Sequence, residues 1–442
     1  MHIPEQVDVL VVGAGASGIP AAIGAARAGA KVLLVEDDPV PGGAAVDQYV
    51  SMLSGGPRSG VVSEILARLE QDHALTRRPV DRWWDFWYLP SDVMRVGFNA
   101  IRAEANLQFR CPARIRQLTV GEQNGRPCVT GAMVPGPDGS EQKVLAHVVI
   151  EATGEGQLAE QAGCEALYGE DARDDFGEAL APERRTNMVQ QCTWMFISQR
   201  RCGATASDDW TPRGMESGLG GSHKPARQRC PDPPAHLYLH WGSRVDCADT
   251  RDPYALAEAQ WEALDQMRPK LDEFHRHGWT VHLAPRIGVR EIRRIVGEHV
   301  ITANDLIEGH IPEDSVLVTQ RGFDLWRKGR HQMQGYPEVQ PYGIPYRSLV
   351  PRGVDGLLVV GKCLSGTHLA MCAYRTQALL GQVGQAAGVA AALCALRHTR
   401  PRDIDFGDLK PLLTDPPQNM VISSDPQWVD HTKVFRPRPE DP

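Results

Sequence analysis

Gly13, Gly15 and Gly18 stand in the spacing G-x-G-x-x-G within VDVLVVGAGASGIPAAIGAARAGAKVLLVE, residues 7–36. That spacing does chemistry at a strand-to-helix junction. The first glycine permits a tight turn, the second lets a pyrophosphate reach the backbone, and the third lets helix and strand close on each other. The flanking residues supply such a junction. VDVLVV is a continuous apolar, β-branched run suited to a strand covered on both faces of a parallel sheet. ASGIPAAIGAARAGA reads as a small-residue helix stopped at Gly29, and KVLLVE as a second strand ending in Glu36. A carboxylate there accepts hydrogen bonds from a ribose 2′-hydroxyl and repels a 2′-phosphate, so the nucleotide is FAD or NAD. Ala16 and Ser17 at the helix start, and Asp37 beside Glu36, join the expected nucleotide contacts.

A chain of 442 residues exceeds what one hydrophobic core serves, so two or three structural units are expected. A formal net charge of -8 offers no basic field for nucleic acid or an anionic membrane. No run of eighteen apolar residues is evident, so no membrane span is expected. The ten cysteines are scattered without CxxC pairs or zinc-type spacing, which predicts reduced thiols and no metal. The opening MHIPEQ lacks a targeting pattern, and a cytoplasmic location is expected. There are no internal repeats.

Later segments decide between the nucleotides. Gly42 and Gly43, followed by Ala44, form a flexible loop able to close over a pyrophosphate and ribityl chain. KVLAHVVIEATGEG predicts a strand ending in Ala152, Thr153 and Gly154. Near the C-terminus, GVDGLLVVGKCLSGTHLAMCAYRTQALLGQVGQAAGVAAALC reads as a strand, a polar loop and a long small-residue helix. Gly381, Gly384 and Gly388 share one face of that helix, which allows tight packing under the sheet or the cofactor. Taken together, these motifs resemble the FAD-dependent oxidoreductase family with a Rossmann-type FAD domain, related to fumarate reductase-like flavoproteins. RIGVREIRRIVGEHVITANDL, from Arg286 to Leu306, and YGIPYRSLVP resemble further signatures of the same family. Two departures stand out: Lys362 where the family often has Arg, and AYRTQALLGQV in place of its commoner run, with Arg375 kept.

The resemblance implies an α/β fold with a discontinuous Rossmann-like FAD-binding domain at residues 1–160 and 345–398. It implies an inserted α+β substrate or cap region at 161–344 and a surface tail at 399–442. Besides the residues named above, Arg114, Gly361, Lys362 and Gly384 are expected at the cofactor, which is FAD held without a covalent link, since GGAAVDQYV contains no His or Cys. The expected reaction is hydride transfer between a small organic substrate and flavin N5, with oxygen, a quinone or a protein as second redox partner. Open alternatives are a flavin monooxygenase supplied with electrons from outside, and a flavin-binding sensor without turnover. The catalytic candidates are His368, a proton carrier in the polar loop, Arg375, on the same face two turns on, and Arg290. Arg286, Glu291, His240 and Tyr346 are the substrate-binding candidates; a structural Arg–Glu pair and a packed His240–Trp241 pair are the plainer readings. Residues 166–234 read as a long loop or lid, 254–278 as an amphipathic helix, and the aromatic stretch 81–92 as packing.

Overall fold

The glycine junction lies at one end of a seven-stranded sheet. Gln6–Val12 pairs in parallel with Val32–Val35 on one side and with Glu141–Glu151 on the other, and Leu107–Arg110 extends the sheet beyond Val32–Val35. Val9, Leu10 and Val11 are wholly buried, as a strand covered on both faces requires. The other edge of Glu141–Glu151 is shared. Its first half pairs antiparallel with Arg126–Pro135, and its last residues pair in parallel with Leu357–Val359 from far along the chain. This is the mixed α/β fold with a parallel, Rossmann-like core that the sequence implies. The computed structural model describes residues 3–53, 58–74, 76–77, 86–136, 139–201, 224–225, 237–327 and 336–425.

Backbone-to-backbone packing under this sheet depends on glycine. The helix Gln377–Arg397 lies against the helix Gly18–Arg27. A Cβ on Gly384 would sit 2.1 Å from the Ser17 carbonyl oxygen, and one on Gly388 1.9 Å from that of Ala21. The fit is reciprocal, since a Cβ on Gly24 would lie 2.8 Å from the Gln385 carbonyl oxygen. Gly384 thus packs the long helix directly against the start of the glycine helix. Gln377–Arg397 is long and apolar enough to cross a membrane, but its apolar window is 94% buried inside the protein, as a core helix. The helix is also shorter than expected. Thr376 is extended at ψ 146°, which separates it from a seven-residue helix, His368–Tyr374.

A second sheet corrects the reading of residues 166–234. Cys192–Arg200 is its central strand, antiparallel to Leu237–Val245 and Trp279–Leu283, while 202–223 and 226–236 lie outside the described residues. The strand escaped notice because both faces are covered, so CTWMFIS shows no polar alternation. Phe196 packs toward the helix Pro253–Arg276, which the sequence predicted, whereas Met195 and Ile197 join Leu239, Trp241 and Trp326 on the opposite face. Of the aromatic stretch 81–92, residues 81–85 fall outside the described residues; Tyr88 is buried beside Leu53 and Leu66. The tail is more than a surface wrap up to residue 425, since Phe406–Thr414 buries Leu409 and Leu413 in the main core.

The glycine packing has a measurable consequence. A Gly384→Ala variant gains helix propensity but must push back the Ser17 backbone, and a net loss of about 1–3 kcal/mol in denaturant unfolding is expected. Unchanged stability would show that the two helices can separate without loss.

Candidate functional site

The parallel strands end together, and their turns abut. Gly13, at φ +104°, faces Ala152, where a Cβ would lie 2.7 Å from the carbonyl oxygen. Gly361, at φ +92°, lies against Gly154, with 3.2 Å between its would-be Cβ and the Gly154 Cα. Gly18 is demanded by Gly13, whose carbonyl oxygen a Cβ would meet at 1.7 Å. Gly15 differs. A Cβ there would find only the Gly43 Cα at 3.8 Å, so the protein's own packing leaves room for a side chain and the glycine answers to whatever approaches from outside. The Gly42–Gly43 loop is fixed over this point by the Gly42 N–H, which donates to the Ala14 carbonyl at 2.8 Å. Ala44 then opens the short helix Ala44–Asp47. Glu36 is buried at its strand end and accepts from the Ala14 N–H at 2.5 Å and the Asp38 N–H at 3.1 Å. Burial and the neighbouring Asp37 push its carboxyl up to about 8. The exposed Arg114 follows Ala113, whose N–H binds the Glu36 carbonyl. Ser17 is buried at the start of the glycine helix, and Thr153 bonds the buried Glu151 at 3.0 Å. Lys362 bonds the Val289 carbonyl at 2.8 Å, and burial lowers its ammonium below the usual range.

A buried ion network lies beyond this cradle. Arg294, with no side-chain exposure, donates to Glu291 Oε1 at 2.5 Å, to both oxygens of Asp171 at 3.0 Å, and to the Gly366 carbonyl at 3.0 Å. The same carboxylates hold His368. Its backbone N–H donates to Asp171 Oδ2 at 2.8 Å, and its Nδ1 lies 2.9 Å from Glu291 Oε1. Burial alone would push the Glu291 carboxyl up; its contacts with His368 and Arg294 overcome it and hold it below the ordinary value. An ionised Glu291 assigns the proton to Nδ1 and leaves Nε2 as the acceptor. That Nε2 is buried without a hydrogen-bond partner. Thr367 caps the short helix at the Ala370 N–H and is itself held by the buried Glu178 at 2.6 Å.

Three arginines gather nearby. Glu291 Oε2 accepts from the Gln190 N–H, and the Gln190 side chain reaches Arg375 at 3.3 Å and the Trp326 N–H at 3.4 Å. Arg290 lies over the Trp326 ring at 4.3 Å and Arg244 over the same ring at 4.9 Å. Arg290 donates to the Gln191 carbonyl at 2.6 Å and to Thr193 Oγ1 at 2.8 Å. Burial and the like charge of Arg375 bring its guanidinium down to about 9. Arg375 reaches Asp324 Oδ2 at 3.4 Å, and its Nε is buried and unpartnered.

The model of the family described as FAD dependent oxidoreductase matches residues 8–413. The chain belongs to the FAD-dependent oxidoreductase family. As a family member it is an FAD-dependent enzyme, and the glycine cradle with room at Gly15 fits that cofactor. Sarcosine oxidase subunit alpha from Corynebacterium sp. (strain U-96) is 35% identical over 91 residues, which is 20% of this chain and only 9% of that relative. A geranylgeranyl bacteriochlorophyll reductase-like protein from Thermoplasma acidophilum is 15% identical, with 93% of this chain and 83% of that one covered at a TM-score of 0.45. For the p-nitrophenol 4-monooxygenase PnpA from Pseudomonas putida DLL-E4 the values are 11%, 89%, 80% and 0.42.

In this flavoenzyme the structure brings His368, Glu291, Arg290 and Arg375 together. Other candidates sit elsewhere. His240 is a core residue, wholly buried, stacked on Phe196 at 4.5 Å and bonded to Ser198 Oγ at 2.8 Å. Tyr346 is buried with its hydroxyl on the Pro401 carbonyl at 2.9 Å. Arg286 is half exposed and binds Asp38 at 2.6 Å, tying the strand-end acids to the middle of the chain. None of these three places lies in the His368 network. Sequence reasoning missed Arg294, which begins a short strand and pairs with Glu291 of the irregular segment just before it. It also missed Asp171, Gln190, Asp324, Trp326 and Arg244, which reach the site only through tertiary pairing.

Removing the central cation tests the network. Arg294→Met leaves two buried carboxylates without their counter-charge, and a loss of about 3–5 kcal/mol is expected from denaturant unfolding. The exposed Arg268→Met should change stability by at most about 0.5 kcal/mol. Equal effects would contradict a buried, mutually dependent network.

Proposed function

We propose that the enzyme oxidises or reduces a small organic substrate by hydride transfer, with His368 carrying the accompanying proton on Nε2. The observation that carries this reading is the buried, unpartnered Nε2 of a histidine whose Nδ1 is fixed by Glu291. FAD, when bound, supplies the hydride acceptor or donor at its N5. Gly13, Gly15, Gly18, Glu36, Gly42, Gly43 and the turns at Ala152–Gly154 and Gly361–Lys362 would hold it, without a covalent link. A segment comprising residues 1–160 and 345–398 forms the FAD-binding part in this reading, and 161–344 supplies most of the substrate side.

The division of labour follows from the geometry. Glu291 sets the tautomer of His368 and stabilises its imidazolium, while Arg294 keeps Glu291 ionised. In the oxidative direction the substrate's heteroatom gives its proton to Nε2 as hydride leaves the adjacent carbon; the reductive direction reverses both transfers. The buried setting excludes water from that exchange. The second redox partner is oxygen, a quinone or another protein.

Anaerobic visible spectra test the reading: hydroxy acids and amines are added to the oxidised FAD-loaded protein, and enones to the same protein reduced beforehand with dithionite. Bleaching by one donor class, or recovery of the flavin bands on adding the enones, is expected; neither change with any class, with only NAD(P)H or oxygen chemistry left, would overturn it. With the reactive class, His368→Gln should slow bleaching by about 10²–10⁴-fold and flatten its pH profile, with flavin content unchanged. A rate within twofold of the parent would remove His368 from the reaction.

A further inference from the structure

Arg244 enters the site through an irregularity in the second sheet. Met195 faces Trp241 and Thr193 faces Arg244, so one extra residue is accommodated in Leu237–Val245 between the two pairs. A regular ladder would turn Arg244 to the other face, toward the helix Pro253–Arg276. The bulge instead returns it to the face that carries Met195, Trp241 and Trp326. Gly242 makes this possible, because a Cβ there would lie 2.1 Å from the Trp194 carbonyl oxygen and 2.3 Å from Met267 Sδ.

Among the described residues the arginine so delivered has no acidic partner. Arg244 makes no ion pair with any of them and rests on Trp326. Arg290, over the same ring, bonds only a neutral carbonyl and a neutral hydroxyl. Arg375 adds a third guanidinium, with a buried Nε that has no partner, and the neighbouring Thr376 hydroxyl is likewise buried and unpartnered. Asp324 is the acid at this cluster, 3.4 Å from Arg375, and it also accepts from the Trp326 indole at 2.8 Å and meets Arg321 at 3.5 Å. Like charges gathered in a partly desolvated place are unfavourable until an anion joins them. Guanidinium forks present paired donors that match the two oxygens of a carboxylate, and Trp326 gives that group a flat wall to lie along.

We propose that Arg244 and Arg290, stacked on Trp326 beside Arg375, bind a carboxylate group of the substrate. This rests on the reading that substrate occupies the space next to His368. Arg244 is then a specificity-determining residue, and an isosteric neutral compound is rejected because it leaves the guanidinium charges unanswered.

Equilibrium binding to the FAD-loaded protein tests the proposal without turnover. The probes are acetate and benzoate, their amides acetamide and benzamide, and inorganic phosphate, measured by calorimetry. At least one carboxylate is expected to bind ten times more tightly than its amide, and Arg244→Met to abolish that preference while FAD content and the affinity for the amide stay unchanged. Arg244→Gln repeats the test should the methionine variant fail to fold. Equal binding of acid and amide, a preference retained in both variants, or selection of phosphate over both carboxylates would overturn the proposal. The outcomes are separable: bleaching by a neutral substrate with no carboxylate preference sinks only the anion site, whereas carboxylate binding without bleaching by any substrate sinks the redox reading.

Discussion

A guanidinium with no solvent exposure must be answered where it stands, and the answer given to Arg294 organises the site. Two carboxylates, Asp171 and Glu291, and the Gly366 carbonyl surround it. These groups come from three separate stretches of chain, so satisfying one cation brings together the segment before the second sheet, the Arg286–Leu306 motif and the loop before His368. Neither acid is spent on Arg294 alone. Asp171 also receives the His368 backbone N–H, and Glu291 also fixes the imidazole and the Gln190 N–H. A buried pair of this kind adds little net stability over an apolar substitute, but losing one member leaves charge stranded. Its value here is positional: it sets which nitrogen of His368 carries the proton.

The cradle on the other side is built by the opposite device, the removal of side chains. Gly13, Gly18 and Gly361 let strand ends and a helix start approach closer than any Cβ would allow, and Gly384 and Gly388 do the same for the two helices beneath. Close backbone approach makes the parallel strands end in one place, and the polar network then stands beyond those ends. The proposed catalytic groups are thus carried on loops and short helices while the packed sheet and helices hold them in position.

Much of the cradle was legible because its signals are local. A glycine triplet between two apolar strands, with Glu36 at the end of the second, predicts the turn, the helix and the acid from sequence spacing alone. The choice of FAD and the place of Arg290, Glu291 and His368 came through resemblance to a family, not through periodicity. What stayed hidden is non-local. Cys192–Arg200 is buried on both faces and so lacks the alternation that marks a strand. Arg244 points into the site only because a bulge shifts its register, and no pattern in LYLHWGSRV announces that shift. His240, two residues before the bulge glycine, was a substrate-binding candidate with core packing as the plainer reading, and it lies in the core: side-chain direction in a sheet depends on pairing. Asp171 and Trp326 carry no signal of their own, since their roles exist only once Arg294 and Arg290 are in place.

The central claim is that the space beside His368 Nε2 is where FAD and substrate meet. A crystal structure of the FAD-bound protein tests it most directly. The account predicts the isoalloxazine between the Gly42–Asp47 loop and the His368 and Arg290 side chains, with Nδ1 of His368 still on Glu291. A flavin ring remote from His368, with the Arg294 network intact, would contradict it.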